Sequence, residues 1–345
     1  MTTTATPKEN TRLPIVLTVA LLIAVLVLII AYAWGAGSYG LSYSQMLDAL
    51  IARAQGLPAP DPQIDAVLFK IRLPRIAAAL LVGAALAVAG TVYQGLFRNP
   101  LVSPDILGVS AGAGLGAVGA ILFGQPAPVI QLFAFLGGIT TVTLVYWVAK
   151  SVRHHEPTLV LVLSGVVLGA LAGALISLVK VLADPYNQLP SITYWLLGSL
   201  NGVSGQTVLT VLPAICLGLV PLVLLRWRMN LMSVGEDEAA AMGLSTARMR
   251  IIFIVAATLI TSAAVAIAGI VGWIGLVIPH IARLLVGPDF TRLLPVALIL
   301  GAAYLLLVDT LARSLAVVEA PLGVLTALLG APVFIYLLFN GRRGW

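Results

Sequence analysis

Three glycines, Gly114, Gly116 and Gly119, have the G-x-G-x-x-G spacing that lets a backbone approach the pyrophosphate of a dinucleotide. That chemistry requires a preceding strand, a following helix and an acidic residue about 20 positions further on. Here the flanks are apolar helix formers, and the next carboxylate is Glu156. We therefore interpret the glycines, with Ser110 and Gly112, as a narrow face for close packing between membrane helices.

Other residue patterns that carry chemistry are missing from the chain. No lysine follows a glycine, so the phosphate loop G-x-x-x-x-G-K-[ST] is absent, and any ATP and Mg²⁺ would be bound by a partner chain. Cys216 is the only cysteine and lies in an apolar run, which excludes a disulfide framework and a cysteine-ligated metal site. We expect no catalytic residue, metal site or cofactor in this chain.

The composition is that of an integral membrane protein. Of the 345 residues, 60% are hydrophobic and 9% charged, and the mean hydropathy is +1.08, whereas a soluble domain carries about 25% charged residues. Apolar stretches long enough to cross a bilayer predict an all-α protein with about ten transmembrane helices. They lie near residues 14–34, 73–95, 106–123, 128–149, 158–182, 206–226, 249–270, 272–286, 291–312 and 321–340.

Two shorter helices and one irregular span are also predicted. The segment 35–71 between the first two spans contains SYSQMLDALIARA, which favours an amphipathic surface helix, and a second short helix is expected from Ile192 to Leu200. The eighth span is short and contains Pro279, so we expect it to enter at an angle or to be broken.

The net charge of +6 reflects membrane orientation better than nucleic-acid binding. If both termini are cytoplasmic, one face of the membrane holds 13 of the 19 basic residues: Lys8, Arg12, Arg98, Lys150, Arg153, Arg226, Arg228, Arg248, Arg250, Arg283, Arg292, Arg342 and Arg343. Three exceptions, Arg72, Arg75 and Arg313, fall where helices meet the outer surface, and we expect a partner for them.

A short sequence pattern that occurs twice suggests inverted repeats of five helices. Ala89-Gly90-x-Val92, Pro100 and Gly108 recur as Ala268-Gly269-x-Val271, Pro279 and Gly287, at a constant offset of 179 residues. Because five spans separate the copies, the second would run in the opposite direction, as in many transporters.

The carboxylates argue against a proton- or sodium-driven carrier, which normally keeps ionisable groups near the bilayer midplane. Only Asp309 lies within a predicted span, four residues before Arg313, which is the spacing of a local ion pair on a helix. In contrast, the loop SVGEDEAAAMGLSTARMR, residues 233–250, predicts a well-capped helix at the cytoplasmic face, in the region 233–247. Ser233 and Glu236 fit a capping box, and Gly243 can end the helix.

Several motifs together resemble the FecCD-type permeases, the membrane subunits of ABC importers for iron siderophores, haem and cobalamin. The matching stretches run in collinear order from about residue 65 to the C-terminus: IRLPRIAAALLVGAALAVAGTVYQGLFRNPLVSPDILGVSAGAG, GEDEAAAMGLS, GWIGLVIPHIAR, LLPVALILGA, VDTLAR and PLGVLTALLGAPVFIYLL. The resemblance implies a type II ABC importer permease fold, a single transmembrane domain over residues 1–345, and a location in the bacterial inner membrane. It also implies a second permease subunit, either an identical or a related chain, two ABC ATPase subunits and a periplasmic binding protein.

The resemblance also implies roles for individual residues. Glu236, Asp237, Glu238, Ala239, Ala240 and Gly243 match the coupling helix that sits in a cleft of the ATPase. Arg72, Arg75 and Arg313 match outward arginines that receive glutamates of the binding protein. Asn99 and Leu101 match a cytoplasmic gate, with Thr158 near a second gate position. We expect the fifth span, with Ser164 and Gly165, to line the pathway.

The expected cargo is an iron complex, either a ferric siderophore or haem. Cobalamin and molybdate or tungstate remain as alternative cargoes. A secondary carrier is the alternative from another functional class, and a membrane-embedded enzyme is disfavoured because the spans hold no paired acids, H-E-x-x-H motif or nucleophile constellation.

Overall fold

The computed structural model describes residues 14–37, 39–58, 61–152, 157–315 and 318–340, and every regular element within these ranges is helical. In chain order the helices are α1 (Ile15–Gly35), α2 (Tyr43–Ala54), α3 (Pro62–Asp65), α4 (Leu73–Leu96), α5 (Val109–Leu122), α6 (Ala127–Ser151), α7 (Pro157–Leu182), α8 (Gln188–Leu197), α9 (Gly205–Leu224), α10 (Arg226–Val234), α11 (Glu236–Ala241), α12 (Thr246–Ala268), α13 (Ile274–Val286), α14 (Phe290–Ala312) and α15 (Leu322–Asn340). A π-helical segment, Ala66–Arg72, leads into α4, and a 3₁₀ turn, Pro104–Leu107, leads into α5.

Ten of these helices correspond to the ten predicted spans, and each begins within three residues of its predicted start. Seven are long and apolar enough to cross a membrane: α1, α4, α6, α7, α9, α12 and α14. The other three, α5, α13 and α15, are shorter apolar helices. The all-α fold class is therefore confirmed.

The spans run alternately between two ends of the bundle. We call one the arginine end, because Arg72, Arg75 and Arg313 lie there, and the other the α11 end. The arginine end carries α2, whose capping box is formed by Ser42 and Gln45, and it also carries α8. Helix α8 begins at Gln188, four residues before the predicted start, since Pro190 in its first turn needs no backbone N–H partner.

Helices α4 and α14 pack as an antiparallel pair in one continuous register. The ring of Phe290 fills the space beside Gly95, the backbones of Gly83 and Gly301 touch, and Arg75 pairs with Asp309. A helix rises about 1.5 Å per residue, so these contacts extend over about 30 Å. Small residues at the crossing permit this approach, because a side chain at Gly83 would overlap the carbonyl of Gly301.

The inverted repeat is visible in the packing of α4–α7 and α12–α15. Helix α4 packs on α14 as α12 packs on α6, and α5 packs on α7 as α13 packs on α15. The helices that precede the two groups differ, since α1 packs mainly on α14 and α9 packs mainly on α12. The equivalence thus extends over four helices of each predicted five-helix repeat.

The recurring sequence pattern that suggested the repeat does not pair equivalent positions of the two groups of helices. Gly90 lies inside α4, whereas Gly269 ends α12 with φ 66°. Likewise, Gly108 precedes α5, whereas Gly287 ends α13. The residues paired at the offset of 179 therefore occupy different positions in their helices. The predicted sequence correspondence is wrong, although the structural repeat exists.

Two of the three shorter spans, α5 and α13, begin inside the bundle. Helix α13 starts where Gly275 meets Gly90 of α4, after the non-helical segment 269–273, and it continues unbroken through Pro279. Helix α5 starts after the segment 97–108, whose Pro104 packs against Gly275. The short predicted eighth span is therefore a partial crossing and not a helix broken at its proline.

The predicted close packing of the glycine-rich face of α5 is confirmed for Gly112 and Gly116. A side chain at Gly116 would overlap the carbonyl of Phe133, and one at Gly112 would overlap Thr141, so both glycines let α5 lie against α6. Gly119, in contrast, faces open space.

Candidate functional site

The short helix α11 lies between α10 and α12, at the end of the bundle that is named after it. The predicted capping box of Ser233 and Glu236 is wrong, because α10 continues to Val234 and contains Ser233. The Ser233 hydroxyl donates to the carbonyl of Asn230 at 2.7 Å, and Gly235 stands at the N-terminus of α11 without a side-chain cap.

The predicted C-terminus of α11 is confirmed. Gly243 has φ +83°, a conformation that glycine adopts without a Cβ penalty. The N–H of Leu244 donates to the carbonyl of Ala239 at 3.0 Å, and that of Gly243 donates to Ala240 at 2.9 Å. This is the Schellman arrangement that satisfies the last carbonyls of a helix.

Among the described side chains of α11, Glu238, Ala240 and Ala241 are exposed, as is Met242 at its C-terminus, while Ala239 is fully buried. The side chains of Glu236 and Asp237 lie outside the part of the chain that the structure describes. Helix α11 therefore presents an exposed carboxylate and a small side chain at the surface of the α11 end.

A polar contact that the sequence analysis missed joins α10 to α14. The side-chain amide of Asn230 donates to Asp289 at 2.7 Å, and its oxygen accepts from the N–H of Phe290 at 2.8 Å. Asp289 also caps α14 by accepting from the N–H of Thr291 at 2.9 Å. Asp289 and Thr291 could have indicated the cap, but nothing in the local sequence indicates Asn230, which is 59 residues away.

The environment of Asp289 favours its ionised form. Partial burial raises its pKa, but hydrogen bonds from Asn230 and Thr291 and the nearby charge of Arg292 outweigh this effect. The net result is a pKa below the ordinary value for an aspartate.

The two predicted gate elements lie together at the α11 end. Asn99 follows α4, and its side-chain oxygen accepts from the N–H of Leu101 at 2.9 Å, so that Leu101 stands 56% exposed. Thr158 lies in the first turn of α7 at the same end. From there the chain turns inward through Asp105, whose carboxylate accepts a hydrogen bond from the hydroxyl of Ser110.

The face of α7 that holds Ser164 and Gly165 does not line an open pathway in this chain. Ser164 is buried, and a side chain at Gly165 would overlap the carbonyl of Ile106. The exposed face of α7 instead carries Leu163, Val166, Val167 and Leu171.

Arg72 and Arg313 at the arginine end are buried, with 4% and 7% of their surface exposed. Arg72 donates to the carbonyls of Trp34 at 2.6 Å, Gly35 at 3.1 Å and Tyr39 at 2.6 Å. Arg313 donates to the carbonyls of Ala33 and, at 2.7 Å, Ala36. The two guanidinium groups thus hold the C-terminal end of α1, where carbonyls lack helical partners.

Arg75 is held by two carboxylates. Its guanidinium donates to Asp309 at 2.9 to 3.1 Å and to Glu319 at 2.8 and 2.9 Å. Asp309 is fully buried, and its predicted pairing with Arg313 is only a secondary contact at 3.8 Å. The location of all three arginines at one end is confirmed, but their guanidinium groups bind the chain itself instead of pointing freely outward.

A cavity of about 820 Å³ opens beside this cluster. It lies between the start of α6, α8 and the end of α12, and its polar lining includes Gln131, Tyr194, Asn201 and Glu319. Over the described residues, no group of three or more His, Cys, Asp or Glu side chains is placed to hold a metal ion.

Comparison with known proteins identifies relatives that are permease proteins of transport systems. The family model of the FecCD transport family matches residues 21–340. The molybdate import system permease protein MolB of Haemophilus influenzae is 41% identical, covering 92% of this chain and 94% of its own. The "Probable iron chelatin transport system permease protein" of Helicobacter pylori 26695 is 40% identical, covering 81% of this chain and 84% of its own.

A solved structure has the same fold. It is described as "An inward-facing conformation of a putative metal-chelate type ABC transporter", with a TM-score of 0.84, 39% identity and coverage of 94% of this chain and 99% of that one. The family match over most of the chain and the shared architecture agree with the resemblance drawn from the motifs. The chain belongs to the FecCD transport family and is an integral membrane permease subunit of an ABC transporter.

Proposed function

We propose that this permease imports an iron complex, a ferric siderophore or haem, using the energy of ATP bound by partner subunits. The observation that carries the proposal is the exposed helix α11, which is closed at Gly243 and joined through α10 to the buried pair α4–α14. A surface helix attached to the core of a bundle suits a subunit that receives movement from another protein. The iron chelatin relative and the metal-chelate transporter structure support the cargo.

The proposed assembly contains two permease subunits, two ABC ATPases and a periplasmic binding protein, in the bacterial inner membrane. The ATPases, which hold ATP and Mg²⁺, meet the α11 end on the cytoplasmic side through Glu236, Asp237, Glu238, Ala240 and Gly243. Ala239, which the resemblance placed among these contacts, is buried against its own chain and supports α11 from inside. The chain itself contributes no catalytic residue, and both termini are cytoplasmic. Asn99, Leu101 and Thr158 form the cytoplasmic gate at the same end.

The binding protein would dock on the arginine end, which faces the periplasm in this orientation. Because Arg72, Arg75 and Arg313 already bind carbonyls and carboxylates of this chain, glutamates of the binding protein must share or replace those partners. Glu319 is the partner of Arg75 with the more exposed side chain, so it is the group most readily displaced. Charge complementarity of this kind fixes register and association rate more than affinity.

Import of molybdate is the second candidate, favoured by the 41% identity to the molybdate permease. The two cargoes can be separated in proteoliposomes that contain the permease, its ATPase and its binding protein. We expect ATP-dependent, vanadate-sensitive accumulation of a ferric siderophore or haem, with cobalamin and molybdate as comparison ligands. Accumulation of molybdate alone would favour the second candidate. Uptake driven by a proton or sodium gradient without the ATPase would refute both.

The orientation has its own test with single cysteines in a Cys216→Ala background. Tyr186, between α7 and α8, is 86% exposed at the arginine end, and Ala240 is exposed at the α11 end. In intact spheroplasts, an impermeant maleimide should label Tyr186→Cys, and it should label Ala240→Cys only after the membrane is opened. The reverse pattern would place α11 outside the cell.

A further inference from the structure

The side chain of Asn230 is a polar connection between the surface helices of the α11 end and the core. Its two hydrogen bonds, to Asp289 at 2.7 Å and from Phe290 at 2.8 Å, join the middle of α10 to the first residues of α14. Met229 and Met232 are buried on the same short helix, so α10 is both packed and hydrogen-bonded to the core. Helix α10 passes directly into α11 through Gly235.

The residues that Asn230 holds belong to the α4–α14 pair. Phe290, whose N–H binds Asn230, also places its ring against Gly95 near the end of α4. From there the register of the pair continues through Gly83 and Gly301 to Arg75 and Asp309. A displacement of α10 that preserves the Asn230 contacts must therefore displace an element that reaches the arginine end.

We infer that Asn230 is a positioning residue that transmits movement of α11 to the α4–α14 pair. This inference rests on the proposed function, in which an ATPase moves α11. Directional hydrogen bonds suit this purpose, because they fix the position of α10 along α14 as well as its distance. Apolar packing alone would allow the two helices to slide.

The test uses the complementary partners of the contact. Asn230→Asp sets a carboxylate against that of Asp289 and keeps only the acceptor for Phe290. Asp289→Asn is the matched control, because its side-chain oxygen can still accept from Asn230 and Thr291. The double variant Asn230→Asp, Asp289→Asn removes the repulsion and lets the amide at position 289 donate to the carboxylate at position 230. Because Oδ1 of Asp289 also accepts from the N–H of Thr291, this reversed contact gives up part of the α14 cap.

The readout is cargo transported per ATP hydrolysed by the complete transporter in proteoliposomes at neutral pH. We expect a fall of about 5-fold for Asn230→Asp, a value near the parent for Asp289→Asn, and recovery to within about 2-fold in the double variant, as for directly coupled residues. A residue that only stabilised the fold would change the yield of assembled complex, and the ratio of cargo to ATP would stay constant.

Equal ratios in the parent and all three variants would overturn the inference while leaving the proposed function intact. If Asn230→Asp does not assemble, Asn230→Ala, which removes both hydrogen bonds without adding charge, is measured instead. A parental ratio in that variant would likewise overturn the inference. A parent that shows no ATP-driven uptake would refute the proposed function, and the inference with it.

Discussion

Arg75 and Asp309 form a buried ion pair across the arginine end of the α4–α14 pair, 234 residues apart in the sequence. The guanidinium donates three hydrogen bonds to the Asp309 carboxylate, which is fully buried, and two to Glu319. A charge removed from water needs a partner of this geometry, because its desolvation costs several kcal/mol. The carboxylates of Asp309 and Glu319 should therefore contribute differently to the free energy of unfolding.

Removal of Arg75 should be far more damaging than removal of its exposed partner. Arg75→Gln leaves the Asp309 carboxylate with only the 3.8 Å contact to Arg313, and we expect a loss of about 3–5 kcal/mol. Glu319→Gln should cost at most about 1 kcal/mol, because the Glu319 side chain is 32% exposed. Unfolding of the purified protein by titration into SDS measures both, and equal losses would contradict this assignment.

The close approach of α4 and α14 gives a second prediction. Gly83→Ala would place a methyl group against the carbonyl of Gly301, so that the helices must separate and lose the packing beside it. We expect destabilisation of about 1–3 kcal/mol. Gly119→Ala is the matched control, since it is also in a membrane helix but faces open space. A similar thermal stability for both variants in detergent would show that the contact is less tight than described.

The positions of the apolar helices were predictable, because a run of apolar residues indicates a segment that enters a bilayer and its length indicates whether it can cross. All ten spans, the surface helix α2 and the end of α11 at Gly243 follow from local sequence. Motif matches likewise indicated the family before any tertiary contact was known. The proposed roles of the matched residues, in contrast, depend on partner proteins and remain predictions.

What the sequence did not predict depends on contacts between distant segments. Asp309 has Arg313 at helical spacing, so the local pair was the natural expectation, yet Arg75 is nearer and better aligned. Ser233 fits a capping box by type and spacing, but α10 has buried methionines that keep it helical through that serine. The side chain of Asn230 forms its hydrogen bonds with residues 59 and 60 positions away. In each case tertiary packing outweighed a correct local rule.

Arg72 and Arg313 should hold the end of α1 in place. Replacement of Arg72 by methionine keeps the apolar stem but removes three hydrogen bonds to carbonyls of residues 34–39. Because a charged hydrogen bond contributes about 1.5–3 kcal/mol, amide hydrogen exchange around these residues should accelerate by about 10-fold or more. Arg53→Gln is the control, since Arg53 makes an exposed pair with Asp65 at 3.4 Å and lies over the ring of Phe69 at 4.2 Å, without a hydrogen bond to the end of α1.

The same two arginines also allow the proposed docking role to be examined separately from their structural role. If the binding protein shares these guanidinium groups, Arg72→Met and Arg313→Met should slow its association and flatten the salt dependence of the association rate. Arg53→Gln should leave both unchanged. Faster exchange at α1 with unaltered association kinetics would mean that the arginines serve only to hold α1.

Asp289 should make a pH-dependent contribution to stability. Its pKa is below the ordinary value of 3.8, because the hydrogen bonds from Asn230 and Thr291 and the charge of Arg292 outweigh partial burial. A carboxyl with a lowered pKa stabilises the folded state fully above its unfolded pKa, and this contribution is lost as the pH falls through the lowered value.

The stability difference between the parent and Asp289→Asn should therefore be constant from about pH 7 to about pH 5 and shrink below pH 3.8. Because the Asp289 side chain is 43% exposed, solvent screening keeps the difference small. SDS titrations of both proteins over this range measure it, and a difference that grows on acidification would show that the Asp289 pKa is raised instead.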